Sequence, residues 1–463
     1  MIIKSKHFLV IGTAMSGIAV TRFLLSKDAY VILTDVKSKE KLNKEILEFE
    51  KRPNFRGIYG TQPPLSILEK IDYIIASPGV PFNIPIIQKA KKQNIEILSE
   101  IELAYRLSNT PIIAITGTNG KTTTTILVGE IFKKSKKKSY VVGNIGIPMI
   151  SKIEEADENG YFIAEVSSFQ LEGTKYFKPH ISVILNITPD HLNRHETMEN
   201  YIYEKSKIFL NQNYEDITIL NADDPITFSL REKTKGKVVL FSSSSLLEEG
   251  VFIENNEIVI KNNMNKIKVC SISDIKMLGK HNLENALAAV AVAYHAQIPV
   301  NNIKKILQTF KGVNHRIEVV DIIDGIEFIN DSKGTNPEAS IRAIEAMKKP
   351  IVLIAGGMDK GTDFSNFVGS FKGKVRHLIV LGETADIISK TAKEQGFFNI
   401  TKVEDLSSAV ITSFEKAHPG DVVLLSPACA SWDMFRSFEE RGDLFKDIVK
   451  SLRGGEDGKG KTC

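Results

Sequence analysis

The chain has 463 residues, 42% of them hydrophobic and 25% charged, with a net charge of +4. At about 150 residues per domain it is long enough for three domains with separate cores, while so small a charge argues against nucleic-acid binding. No apolar run reaches the ~20 residues of a membrane span, so no membrane insertion is expected either. Cys270, Cys429 and Cys463 lack C-x-x-C spacing, which suggests neither a disulfide framework nor a zinc site. A reducing, cytoplasmic setting fits them, and the chain enters its first apolar strand too early to leave room for a signal peptide.

Residues 1–100 alternate short apolar strands near 8–12, 31–34 and 73–76 with amphipathic helices near 17–26 and 84–93. This is the pattern of a doubly wound parallel sheet with ligands at the strand ends. The turn Gly12-Thr-Ala-Met15-Ser16-Gly17 lacks G-x-G-x-x-G, yet Met15 and Ser16 at a helix start suit a diphosphate, and Asp35 at a strand end suits hydroxyls or a base edge. A purely structural turn fits these residues equally well.

A second α/β unit begins near Ile101. Its apolar strand 112–116 runs into Thr116-Gly117-Thr118-Asn119-Gly120-Lys121-Thr122-Thr123, a phosphate cradle. Gly117 and Gly120 let backbone N–H groups approach phosphate oxygens, the following helix offers its positive end, Lys121 reaches the terminal phosphates and Thr122 a Mg2+ ion. The general pattern G-x-x-x-x-G-K-[ST] would place glycine where Ile115 stands, so the loop is a variant. The basic run 133–138 is read as a solvated helix end.

Gly143-Asn144-Ile-Gly146 after a strand at 139–142 is a tight loop open to a ligand. Strand 161–165 delivers Glu165 to a site, where a metal or a salt bridge to lysine would compensate its charge. Strand 181–187 leads into Thr188-Pro-Asp190-His191-Leu-Asn-Arg194-His195, a loop able to bind metal and anion together, although Mg2+ prefers oxygen to imidazole. A strand at 217–220, an apolar helix at 285–296 opened by His281-Asn282-Leu-Glu-Asn285, and an amphipathic segment at 300–310 complete the unit. Asn221-Ala-Asp-Asp224 lacks the lysine of a guanine-reading N-K-x-D motif, which argues against a GTP-dependent switch.

Alternation restarts near Val313 with strands at 326–329, 351–355, 377–381 and 422–426. Asn330-Asp331-Ser332-Lys333-Gly-Thr335 leads into a helix capped by Asn336 and started by Pro337. Ser426-Pro-Ala-Cys-Ala-Ser431-Trp432 turns a strand toward a helix N-terminus that would welcome a carboxylate. The Gly- and Lys-rich tail 454–463 is expected to fray.

Together the segments at 116–123, 143–146, 165–172, 186–195, 281–285, Asn314-His-Arg316, 330–336 and 426–431 closely resemble the Mur ligase family over nearly the whole chain. The last two point to its D-glutamate-adding type, with a ligase adding another amino acid as the nearest rival. The resemblance implies three α/β domains: an N-terminal Rossmann-like UDP-binding domain at 1–100, a central P-loop ATPase-like domain at 101–312 and a C-terminal Rossmann-like amino-acid domain at 313–463. It also implies a monomeric ATP-dependent ligase that joins D-glutamate to UDP-N-acetylmuramoyl-L-alanine through an acyl phosphate, in cytoplasmic peptidoglycan precursor synthesis and hence in cell-wall growth and division.

By likeness, Lys121, Glu165, Asp190, His191 and Lys205 are catalytic. Gly117, Thr118, Asn119, Gly120, Lys121, Thr122, Thr123, Asn285, Arg316 and Asp331 meet ATP. Met15, Ser16, Asp35, Ser77 and Gly79 meet the uridine diphosphate, with Asn144, Ser167 and Gln170 nearer the sugar. D-Glutamate meets Lys333, Thr335, Lys360, Ser431, Trp432 and Phe438, Trp432 standing where a smaller apolar residue is expected. Two Mg2+ ions fall to Thr122, Glu165, His191 and a carbamylated Lys205, with Lys207 the rival if the register slips.

Overall fold

The computed structural model describes residues 1–453 except 40, 41, 43, 264, 278, 360 and 361, and leaves the side chains of Asn193 and Glu338 undescribed. The expectations for Lys360, Cys463 and the tail 454–463 therefore lie outside the described residues. The chain forms two compact units, Met1–Phe310 and Lys311 onward.

The first unit holds two sheets. In the first, β1 (His7–Ile11), β2 (Tyr30–Asp35), β3 (Phe55–Tyr59), β4 (Tyr73–Ala76) and β5 (Glu96–Leu98) are all parallel, in the order β3-β2-β1-β4-β5. The chain winds outward from β1 in one direction and then the other, so the crevice between β1 and β4 is the topological switch point where ligands bind in such sheets.

The second sheet comprises β6 (Ile112–Thr116), β7 (Ser139–Gly143), β8 (Tyr161–Glu165), β9 (Ile181–Ile184), β10 (Ile217–Asn221), β11 (Lys237–Ser242), β12 (Gly250–Glu254), β13 (Glu257–Asn262) and β14 (Asn265–Ser271). Their order is β14-β13-β12-β11-β10-β9-β6-β8-β7. All five residues of β6 are buried, as an uninterrupted apolar strand between two parallel neighbours requires. The helix Lys121–Lys134 packs on the helix Lys280–His295, whose residues from Asn285 to Ala293 are all buried, so its apolar character runs right round it.

β12 to β14 pair antiparallel, an extension absent from the sequence reading. Asn255 and Asn256 link β12 to β13 with φ of 50° and 63°, the two left-handed residues that a tight hairpin turn needs. β9 ends at Ile184, short of the expected 187, because Leu185 and Asn186 turn to bond the phosphate loop instead.

The second unit is built on β15 (Glu318–Ile323), β16 (Ile326–Asn330), β17 (Ile351–Gly356), β18 (Val375–Leu381), β19 (Ile400–Lys402) and β20 (Val422–Leu425). Their order is β15-β16-β20-β17-β18-β19, parallel except for the β15–β16 hairpin. The last strand in sequence thus lies at the centre of the sheet, and the loops after β16, β17 and β20 meet at one edge. Cys270 and Cys429 are buried free thiols. No described helix is long and apolar enough to cross a membrane.

Candidate active site

The phosphate loop is positioned by the burial of β6 and closed by Gly120, whose φ of +82° ends the loop and opens the helix Lys121–Lys134. A Cβ at Gly120 would lie 2.1 Å from Asn285 Oδ1, so glycine is needed for space as well as conformation. Asn285 itself accepts from the Thr124 hydroxyl at 3.3 Å and thereby buttresses the loop from below. Thr118 N–H donates to Asn186 O, Asn119 N–H to Asn186 Oδ1 at 2.8 Å and Thr188 N–H to Thr118 Oγ1 at 3.0 Å. The loop is therefore zipped to the chain leaving β9, and Tyr201 adds a hydroxyl 3.2 Å from Thr118 Oγ1. Thr122 and Thr123 are buried in the first turn of the helix.

Two lysines converge on this loop. Lys121 Nζ donates to Gly117 O at 2.8 Å and Thr118 O at 3.0 Å, folding back over the cradle. Lys205, on the helix Met198–Ser206, is 1% exposed and donates to the same Gly117 O at 2.9 Å and to Thr116 Oγ1 at 3.4 Å. Burial, and secondly the charge of Lys121, push the Lys205 ammonium well below the ordinary lysine range, against the pull of Asp190 and Glu165. Lys207 turns away to pair with Glu204 at 2.7 Å, so of the two rivals only Lys205 reaches the cradle.

Glu165 ends β8 and is 1% exposed. Its Oε1 accepts from Asn144 Nδ2 at 2.8 Å, and the Asn144 N–H bonds Glu165 O. Gly143 makes this closeness possible, since a Cβ there would meet Glu165 O at 2.3 Å. Oε2 is buried with no hydrogen-bond donor among the described residues. A buried carboxylate oxygen without a donor is costly unless a cation reaches it, so this position fits a hard metal ion that prefers oxygen. Among the described residues no three His, Cys, Asp or Glu side chains converge as a metal cage.

In the loop after β9, His191 adopts a left-handed φ of 54° as the residue preceding the helix Leu192–His195. Its half-exposed ring lies 3.6 Å from Asp190 and beside Phe169. His195 is different: it is buried, bonds Ser168 Oγ at 3.0 Å and stacks on Phe169. Burial and the neighbouring charges of Arg194 and His191 lower its pKa to about 4, so it packs as a neutral ring. Arg194 pairs with Glu172 at 2.6 Å and donates to Val80 O at 2.8 Å, joining this loop to the first sheet. Ser167 and Gln170 form a reciprocal capping box on the helix Ser168–Glu172, which occupies the Ser167 hydroxyl and the Gln170 carbonyl.

At the switch point of the first sheet, Met15 is 65% exposed and begins the helix Met15–Ser26, with Ser16 beside it. Gly17 is required, because a Cβ would lie 1.9 Å from Gly12 O. Asp35 Oδ2 accepts from the Thr13 N–H at 2.8 Å and hydroxyl at 2.6 Å, and Oδ1 from Lys37 N–H. Burial would raise its pKa, but these bonds outweigh it and hold the carboxylate below its usual range. Ser77 is buried against Gly12, while a Cβ at Gly79 would project into open space.

In the second unit, Asp331 follows β16 and its N–H bonds Leu425 O of β20. Burial, only partly offset by the Ser426 hydroxyl at 2.7 Å and the charge of Arg316, pushes its carboxyl up to about 7. Lys333 Nζ lies 5.5 Å from the ring centroid of Phe438, and Thr335 N–H turns back onto Lys333 O. Ser431 is buried in the loop after β20, and Trp432 next to it is 65% exposed. Sequence reasoning passes over Thr13, Tyr201 and Arg441. Thr13 lay in the first strand-end turn and was open to detection, whereas the other two act across more than 80 residues and leave no local pattern.

Comparison with known proteins agrees with this geometry. The Mur ligase MurD-like N-terminal domain matches residues 6–99, the Mur ligase middle domain 115–293 and the Mur ligase glutamate ligase domain 315–429. The UDP-N-acetylmuramoylalanine–D-glutamate ligase of Alkaliphilus oremlandii is 50% identical, covering 98% of this chain and all of its own. Those of a Thermoanaerobacter species and Clostridioides difficile are 52% and 48% identical with the same coverage. Among solved structures, the UDP-N-acetylmuramate-alanine ligase MurC of Thermotoga maritima shares the fold with a TM-score of 0.57 at 20% identity, over 96% of this chain and 99% of its own. MurF of Acinetobacter baumannii does so with a TM-score of 0.56 at 17% identity, over 96% and 91%. With all three domain types matched in order and full-length relatives at about half identity, the chain belongs to the Mur ligase family.

Proposed function

We propose that this chain is an ATP-dependent ligase that adds D-glutamate to UDP-N-acetylmuramoyl-L-alanine in cytoplasmic peptidoglycan precursor synthesis, working as a monomer with the division 1–100, 101–312 and 313–463. The observation that carries the reading is the convergence of Lys121 and Lys205 on the phosphate loop, with Glu165 and Asp190 acting on Lys205 through charge. The alanyl carboxylate attacks the γ-phosphorus and ADP leaves. The amine of D-glutamate then attacks the acyl phosphate, inorganic phosphate leaves and the amine proton is lost. A carboxylate resists nucleophiles until one of its oxygens becomes a good leaving group, which is what phosphorylation achieves.

In this reading the loop N–H groups of residues 117–123 and the helix end hold the phosphates, with Lys121 swinging from its loop carbonyls onto the terminal phosphates. Asn285 supports the nucleotide site, and Arg316 and Asp331 contact ATP. Thr122, Glu165 and His191 would hold Mg2+, whose charge offsets that of the phosphates, with Asp190 ordering His191. Lys205 suits carbamylation, because burial favours the neutral amine that adds to CO2 with loss of a proton, giving a carboxylate-like oxygen ligand for a second ion. Met15, Ser16, Asp35, Ser77 and Gly79 bind the uridine diphosphate, and Asn144, Ser167 and Gln170 the sugar. Lys333, Thr335, Lys360, Ser431, Trp432 and Phe438 receive D-glutamate.

The test is mass spectrometry of the product from UDP-N-acetylmuramoyl-L-alanine, ATP and a panel of D-glutamate, L-alanine and diamino acids, with phosphate release followed in parallel. One D-glutamyl unit is expected on the acceptor. Turnover with another panel member and none with D-glutamate would refute the assignment.

A further inference from the structure

The first turns of the helix Phe438–Leu452 bring a cation into the heart of the second unit. Arg441 is 3% exposed, and among the described residues its three hydrogen bonds go to uncharged oxygens: Nε to Ser332 Oγ at 3.0 Å, Nη2 to Ser332 O at 2.8 Å and Nη2 to Cys429 O at 3.3 Å. Asp331 and Asp433 act on it through charge, with no hydrogen bond to either among the described residues. Burial lowers its pKa to about 10, which leaves it a cation at neutral pH. A buried cation whose hydrogen-bond acceptors are neutral and whose nearby carboxyls act only through charge costs more than apolar packing of the same volume would, so filling space does not account for it.

What the guanidinium does is bridge. Ser332 follows β16, directly before Lys333 and three positions ahead of Thr335. Cys429 follows β20, two residues before Ser431. Close to the strand ends the two loops are tied by Asp331 N–H to Leu425 O and by Ser426 Oγ to Asp331 Oδ2 at 2.7 Å; farther out, between Ser332 and Cys429, a planar fork with several donors spans them where a point-charge lysine could not. The same turns of the helix add two more ties to the β16 loop, Ser332 Oγ to Phe438 O at 2.8 Å and Asn330 Nδ2 to Gly442 O at 3.1 Å. Gly442 is what lets the helix come so near, since a Cβ there would lie 2.2 Å from His315 Nδ1.

We propose that Arg441 is the positioning residue of the amino-acid pocket: it fastens the loop carrying Lys333 and Thr335 to the loop carrying Ser431, so that groups on two different strands meet one dicarboxylate amino acid in fixed register. The inference rests on the reading that D-glutamate binds at these loops. Arg441 touches none of the reacting atoms, and its effect is on where the binding groups stand. Its retained charge also favours an anionic amino acid over a neutral one.

Steady-state kinetics of the full-length enzyme, with each substrate varied in turn, test this on wild type, R441Q, R441K and S332A, alongside their melting temperatures. R441Q is expected to raise the KM for D-glutamate about ten- to hundredfold, the worth of one or two charge-assisted hydrogen bonds. The KM values for ATP and the UDP substrate should stay near wild type, R441K should recover part of the loss, and S332A, which keeps the cation but removes the Nε acceptor, should fall between R441K and wild type. Equal rises in all three KM values, or a lowered melting temperature with an unchanged amino-acid KM, would overturn the proposal. If R441Q does not fold, R441K and S332A decide the matter, and a wild-type amino-acid KM in both overturns it. A wild type that uses a different amino acid refutes the substrate assignment alone, and the same variants measured with that amino acid still decide the role of Arg441.

Discussion

Single side chains in this protein are set by burial more than by their neighbours in sequence. Glu100 is the clearest case: it is 1% exposed, its Oε1 accepts from the Ile150 N–H at 2.6 Å, and burial pushes its pKa up to about 7. Below about pH 4 the group is protonated whether the chain is folded or not. As the pH rises toward 7 the unfolded chain ionises while the folded one keeps its proton, so this carboxyl makes stability fall across that window. E100Q keeps the acceptor for Ile150 and removes the titration. Its melting temperature is therefore expected to fall less than that of wild type between pH 5 and pH 8, with a differential of at most about 3 kcal/mol from the size of the shift. Parallel curves measured by calorimetry over that range would contradict this account. Nothing in the local sequence marks Glu100, because its burial depends on residues 50 positions further on.

At the scale of elements, what was legible in the sequence was what local chemistry dictates. The strand-glycine-lysine-threonine succession specified β6, the loop and the helix Lys121–Lys134, because each step has its own local cause: an apolar run, a positive φ, a helix start. The strand-end placements of Asp35, Glu165 and Asp331 were legible for the same reason. The hidden parts arise from pairing at a distance, such as the antiparallel β12–β14 extension, the early end of β9 against the phosphate loop, and the capping box that occupies Ser167 and Gln170. G120A tests the loop as an element. A residue with a Cβ at φ +82° carries about 1–2 kcal/mol of strain, and Asn285 must also move. Affinity for a non-hydrolysable ATP analogue, measured by equilibrium binding, is expected to fall about tenfold or more for that loss. Unchanged affinity would show that the loop does not cradle phosphate.

At the scale of the whole molecule, the chain is two compact units joined at Phe310 and Lys311, and the phosphate loop belongs to the larger one. Scanning calorimetry of the full chain is expected to resolve two transitions. A non-hydrolysable ATP analogue at about a hundred times its Kd should stabilise the larger unit by about 2.7 kcal/mol by mass action. A shift confined to the smaller unit's transition would place the nucleotide elsewhere. Within the larger unit, Arg194 grips Glu172 and the carbonyl of Val80, so the crevice of the first sheet and the loop after β9 are pinned to one another. A body pinned in this way behaves as a caliper. Under the proposed reaction it measures the reach from the uracil end of the acceptor to its acyl end, so acceptors a few bonds too long or too short would bind at one jaw and never present their carbon at the other.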